Sequence, residues 1–148
     1  MITECSVEIE APASVVWEVF SDVERWPDWT ASIERIVPLD GRDLAAGRRF
    51  AIKQPRLPNL EWCVTEIVPG TSWAWRQSGP AATAYAVHEV IAQGASRTLV
   101  RQRFEQRGPI GALIGRLFAG TTRRYLEMEA AGLKAASEAR AAHDAASA

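Results

Sequence analysis

Cysteine is scarce in this sequence. Cys5 and Cys63 are the only two in 148 residues, and no C-x-x-C occurs. That excludes a disulfide framework and a zinc site, and both thiols read as small buried apolar side chains. Histidine is as rare: His88 lies inside the chain and His143 in its tail. No G-x-S-x-G, no glycine-rich phosphate loop and no paired histidines occur, so neither a metal nor a cofactor is expected. An excess of charge is missing too. Seventeen basic and eighteen acidic side chains give a net charge of -1, which leaves no basic face for nucleic acid. Arg97, Arg101 and Arg103 share one face of a strand and read as its solvated side. No apolar run approaches the roughly 20 residues that cross a bilayer. Met1-Ile2-Thr3-Glu4-Cys5 does not resemble a signal peptide. A cytoplasmic protein without stable membrane insertion, monomer or homodimer, is the expectation.

What the sequence does have is apolar bulk: 47% hydrophobic residues and six tryptophans. That suffices for one well-filled core. No repeat or linker divides the chain. Residues 1–138 read as a single domain and 139–148 as a fraying tail of small residues.

The hydrophobic pattern changes period twice. Cys5, Val7 and Ile9 alternate with Glu4, Glu8 and Glu10, the mark of a half-buried strand. After Pro12, Val16, Val19, Phe20 and Val23 follow at helical spacing. That helix should stop near Glu24 or Arg25, since Pro27 disfavours a helical residue before it, and a second short helix is expected to start at Pro27. Six strands follow, over 33–39, 48–54, 60–68, 72–78, 83–92 and 96–106, each closed by Gly or Pro turn residues, as in an antiparallel meander. From Ile110 to about Ala139 the spacing predicts one helix, with charges at Arg116, Arg123, Glu127, Lys134 and Glu138 between apolar positions. Gly111, Gly115 and Gly120 weaken its first half, which points to close approach to the sheet or to a ligand. The fold class is therefore α+β: a curved antiparallel sheet of six to seven strands wrapped around a long C-terminal helix, with two short helices after the first strand. One helix about 10 Å wide cannot fill such a concavity. The remaining space is taken by large side chains or left as a cavity.

Ala11-Pro12-Ala13-Ser14-Val15-Val16-Trp17 leading into the first helix, the segment Phe20-Ser21-Asp22-Val23-Glu24-Arg25-Trp26-Pro27-Asp28-Trp29, and the element order resemble the SRPBCC superfamily. These are the START-like, helix-grip proteins, which include the polyketide cyclase/dehydrase and lipid-transport group. The resemblance covers about Ile2 to Ser137. Gln54-Pro55 with Leu60-Glu61-Trp62, and Thr122-Arg123-Arg124-Tyr125-Leu126, are similar to a common bacterial subgroup. The resemblance implies the helix-grip fold. It leaves several functions open, among them binding of lipids, sterols, polyketides or plant hormones, and cyclase or aromatase activity.

Strand alternation assigns faces. Phe50, Ile52 and Gln54 share one. Trp62 and Val64 share another, with Cys63, Thr65 and Ile67 opposite. Trp73 and Trp75 go together. The strand 83–92 is apolar on both faces, and the resemblance places Ala84, Ala86, His88 and Val90 inside. Thr98, Val100, Gln102 and Phe104 point in. The expected ligand-binding set is Trp29, Phe50, Ile52, Gln54, Trp62, Trp73 and Trp75, with Ala86, His88 and Gln102 from the later strands and Leu117, Thr121 and Tyr125 from the helix. The loops at 54–60 and 78–80 would form its mouth. An apolar cavity with a few placed polar groups is the usual make-up of a small-molecule site. The expected partner is a hydrophobic small molecule: a lipid, a polyketide or an aromatic compound. The alternative is a polyketide cyclase, aromatase or dehydratase in which His88 and Tyr125 serve as catalytic acid and base. A protein-interaction role is disfavoured by the balanced charge.

Overall fold

A computed structural model describes residues 1–148. β1 (Ile2–Ile9) leads into α1 (Ala13–Ser21) and a 3-10 helix (Val23–Asp28). A six-stranded meander follows: β2 (Arg35–Pro38), β3 (Arg49–Lys53), β4 (Leu60–Val68), β5 (Ser72–Ser78), β6 (Thr83–Ala92) and β7 (Thr98–Arg107). α2 (Gly111–Leu117) and α3 (Ala119–Ser147) complete the chain. The sheet order is β1-β7-β6-β5-β4-β3-β2, antiparallel throughout. β1 and β2 are thus opposite edges, and α1 with the 3-10 helix carries the chain between them. This is the expected α+β grip, with seven strands.

Local chemistry explains where the pattern was misjudged. α1 ends at Ser21, not at Glu24 or Arg25. The Trp26 indole N–H donates to the Phe20 carbonyl at 2.8 Å, the acceptor that a continuing α-helix would have used four residues on. The chain tightens instead into the 3-10 turn, which contains Pro27 and does not begin at it. In β4 the register slips between Val64 and Glu66. This bulge reverses the alternation, so Ile67 pairs with Trp73 and packs against the core, on the face from which strict alternation excluded it. The ambiguous strand β6 turns Ala84, Ala86, His88 and Val90 inward. Arg97, Arg101 and Arg103 are outside, facing Glu10, Glu89 and Glu4 in ion pairs. Cys5 and Cys63 are free and only half-buried, less enclosed than expected.

The C-terminal helix is two helices. Phe118 breaks the ladder with φ -104° and ψ 9°, closing α2 and opening α3. Gly115 allows close approach there: a Cβ would lie 2.9 Å from the Met1 side chain and 3.0 Å from the Gln106 amide oxygen. Gly120 meets nothing and needs no such explanation. α3 runs through the alanine-rich end to Ser147, where fraying was expected. Its buried stripe is Leu126, Glu129, Ala130, Leu133 and Ser137. A carboxylate therefore sits among the core positions.

Candidate functional site

Between the 3-10 helix, the concave face of the sheet and the α2–α3 break lies a cavity of about 400 Å³. Its walls are mostly apolar. Trp62 of β4, Trp75 of β5 and Phe104 of β7 line it, and Trp26 of the 3-10 helix closes one side. Ala84 and Ala86 of β6 also line it, and their small side chains leave room where larger ones would fill it. Ile114 and Phe118 at the helix break, with Thr121 and Tyr125 from the first turns of α3, form the opposite wall. The loop residues Leu57 and Pro58, and Gly79, Pro80, Ala81 and Ala82, contribute as well, so both loops named as the mouth reach the cavity.

Of the residues singled out from sequence, Ile52, Gln54, Trp62, Trp75, Ala86, His88, Thr121 and Tyr125 line this space. The others do not. Phe50 and Trp73 are fully buried in the aromatic core behind it. Trp29 packs on Trp26 at 5.3 Å between ring centroids, away from the cavity. Leu117 is 72% exposed on the outer side of α2, because neighbouring helical residues point about 100° apart and it is Phe118 that turns toward the cavity. Gln102 is buried but stands behind Glu129.

His88 and Tyr125, the expected catalytic pair, are held differently, His88 by the aromatic core and Tyr125 by a loop carbonyl. The His88 ring stacks on Trp73, with centroids 4.3 Å apart and planes at 17°, and meets Phe20, Trp26 and Trp75 edge-on. Burial pushes its pKa down to about 3, against a backbone hydrogen bond with Trp73. It is therefore neutral at neutral pH, and its Nδ1 has no protein partner. The Tyr125 hydroxyl donates to the Pro55 carbonyl at 2.5 Å, tying α3 to the 54–58 loop.

The polar centre lies elsewhere. Glu129 reaches the cavity from α3. Its Oε1 accepts from Ser32 Oγ at 3.1 Å and its Oε2 from Gln102 Nε2 at 2.8 Å. Ser32 Oγ lies 2.9 Å from Thr30 Oγ1, and Gln54 Nε2 donates to the Ser32 carbonyl at 3.3 Å. The inward glutamines thus have partners, as the cost of an unpaired buried amide requires, although Gln102 Oε1 has none. Burial raises the Glu129 pKa to about 7, against the hydrogen bonds from Gln102 and Ser32. Sequence reasoning passed over Glu129. Its signal was position, since it falls three residues after Leu126 and four before Leu133, on the apolar stripe.

A long helix gripped by a seven-stranded sheet around an apolar cavity defines a helix-grip protein. Residues 2–138 match the family described as polyketide cyclase / dehydrase and lipid transport, and the chain belongs to it, within the SRPBCC superfamily. Solved structures share the fold. A hypothetical protein from Helicobacter pylori superposes with a TM-score of 0.79 at 17% identity, covering 93% of this chain and 88% of its own. The Zhui aromatase/cyclase from Streptomyces sp. R1128 gives 0.70 at 18% identity, covering 98% and 95%. A START superfamily protein from Mycobacterium smegmatis gives 0.67 at 18%, covering 96% and 97%. No curated protein matches the sequence. No helix is long and apolar enough to cross a membrane.

Proposed function

We propose that this protein binds a hydrophobic small molecule, a lipid, polyketide or aromatic compound, in the cavity between its sheet and its C-terminal helices. The observation that carries this reading is the cavity of about 400 Å³ walled by Trp26, Trp62, Trp75 and Phe104. That volume lies within the range of drug-sized ligand sites, and the sparse polar groups match their composition. Membership of a family that includes lipid transport supports it.

The catalytic alternative gives His88 and Tyr125 the acid and base roles of a cyclase, aromatase or dehydratase, and the likeness to the Zhui aromatase/cyclase speaks for it. Binding is preferred because a histidine held near pKa 3 is a weak base at neutral pH. The Tyr125 hydroxyl is, moreover, already committed to Pro55.

Two measurements test the reading. Native mass spectrometry of gently purified protein should show a co-purified apolar ligand. Titration with N-phenylnaphthylamine should saturate at one site and shift the emission of the lining tryptophans. Ala86→Phe, which fills the cavity from β6, should weaken that binding at least tenfold while the protein stays folded. Undiminished binding to Ala86→Phe would place the probe elsewhere and end the proposal. His88→Phe should keep most of the affinity; a product formed by the wild type and lost in this variant would favour the catalytic alternative.

A further inference from the structure

Glu129 is a buried carboxylate without a cation. None of the protein's salt bridges includes it. All its hydrogen bonds come from neutral groups, Ser32 Oγ and Gln102 Nε2. A carboxyl in that position is costly to ionise unless a positive charge arrives beside it. It nonetheless lines an open cavity rather than a packed interior. Two hydrogen bonds leave each of its oxygens a further lone pair for a ligand donor.

The surroundings suit a positive charge. Trp26, Trp62 and Trp75 line the same cavity. Indole faces attract ammonium groups, and the attraction is larger away from water. No lysine or arginine lines the cavity to compete for the carboxylate or repel a cation. Both states of Glu129 can also be accommodated without moving heavy atoms. When ionised, it accepts from Ser32 and Gln102. When protonated, it can donate to Ser32 Oγ, whose own proton turns to Thr30 Oγ1, 2.9 Å away, where either atom can be the donor. An empty cavity can thus hold the carboxyl neutral, and an arriving cation can have it charged.

The geometry points to a specific ligand class: a hydrophobic amine whose ammonium group sits against Glu129 while its apolar body fills the tryptophan-lined cavity. This rests on the cavity being a ligand site, and it adds what that site selects. The other titratable groups near the carboxyl do not supply the charge. His88, facing in from β6, is kept neutral by burial. Cys5 on β1 has its thiol pKa raised by burial, with Glu127 and Glu129 adding to the rise and Arg123 opposing it. Tyr125, on the same helix, is bonded to Pro55.

The test uses the intact protein and a matched set of probes: a para-alkylbenzylamine, the corresponding alcohol, and the hydrocarbon in which methyl replaces ammonium. Affinities are read by calorimetry and tryptophan emission. The amine should bind at least tenfold more tightly than the hydrocarbon. Near pH 6 its binding should release a proton, detected as a dependence of the heat on buffer ionisation, and near pH 8.5 the release should vanish. Glu129→Gln should abolish the preference and the proton release while hydrocarbon affinity persists. Hydrocarbon or alcohol binding as tight as the amine overturns the amine proposal and leaves the cavity site standing. An amine preference that survives Glu129→Gln overturns it as well. Failure of all three probes to bind the wild type overturns both. The comparison on the wild type decides the matter even if the variant does not fold.

Discussion

Glu129→Gln is expected to convert a nearly flat pH–stability profile into a rising one. In the folded protein Glu129 holds its proton up to a pKa of about 7, against an ordinary value of 4.5. Between these values the folded state binds the proton and the unfolded chain does not, so this group's contribution falls as pH rises. At about 1.4 kcal/mol per unit the loss is about 3 kcal/mol. His88 acts in the opposite sense. Its pKa falls from 6.5 to about 3, so the unfolded chain binds the proton first, and stability is lost as pH drops across that window, by about 5 kcal/mol in all. Between 4.5 and 6.5 the two slopes oppose and largely cancel. Asp40, Glu105 and Glu138, whose pKa values are lowered by hydrogen bonds from Arg49, Arg107 and Lys134 respectively, add to the loss in acid only.

Removing the Glu129 carboxyl leaves the His88 slope alone. Urea denaturation should then show the variant gaining about 2–3 kcal/mol between pH 4.5 and 6.5, where the wild type stays level, and exceeding the wild type by about 3 kcal/mol near pH 8. The glutamine amide can still accept from Ser32, and it can donate to Gln102 Oε1, now without a partner, once that amide turns over. His88→Phe should give the mirror image, stability falling as pH rises from 4.5 to 7. Parallel profiles for the wild type and Glu129→Gln would show that the carboxyl is not held protonated.

Gly132→Ala should be among the most damaging single-methyl changes in the chain. A Cβ there would stand 2.0 Å from the Trp29 carbonyl oxygen and 3.0 Å from its carbonyl carbon. The obstacle is backbone, so no rotamer relieves it. α3 and the segment after the 3-10 helix must move apart, and with them the Ser32–Glu129 contact. Helix propensity favours alanine by about 1 kcal/mol, but overpacking of this kind costs ~3 kcal/mol or more, so the clash wins. The midpoint of thermal unfolding should fall by roughly 10 °C. Gly120→Ala is the control. It lies in the first turn of the same helix with open space around it, so it should gain about 0.5–1 kcal/mol. Opposite signs for the two variants are the expected result; a Gly132→Ala protein that melts no lower than the wild type would refute the packing argument.

Much of this architecture was legible in the order of residues. β4, β5 and β6 begin and end where the turn residues place them, because Gly and Pro act on the backbone locally. The inward positions of β7 follow from alternation alone. Alternation failed at Ile67, because a bulge is chosen by the pairing of two strands and not by either one. It also could not separate Trp75, which lines the cavity, from Trp73 two residues before it, which fills the core. Both point to the same face, and only the helices laid over that face decide which has space in front of it.

Composition and periodicity by themselves determined the class of molecule: one sheet, one long C-terminal helical segment, and too little helix to fill the concavity. These are properties of neighbouring residues, and local stereochemistry settles them. Only the folded chain decided that part of that space stays open as a cavity. The break at Phe118, the enclosure of His88 by aromatic rings and the placing of Glu129 against Ser32 and Gln102 were decided only by tertiary structure. Ser32 and Glu129 are 97 residues apart in the chain. The pKa values and the hydrogen bonds that set this cavity's chemistry exist only once the chain has closed around them.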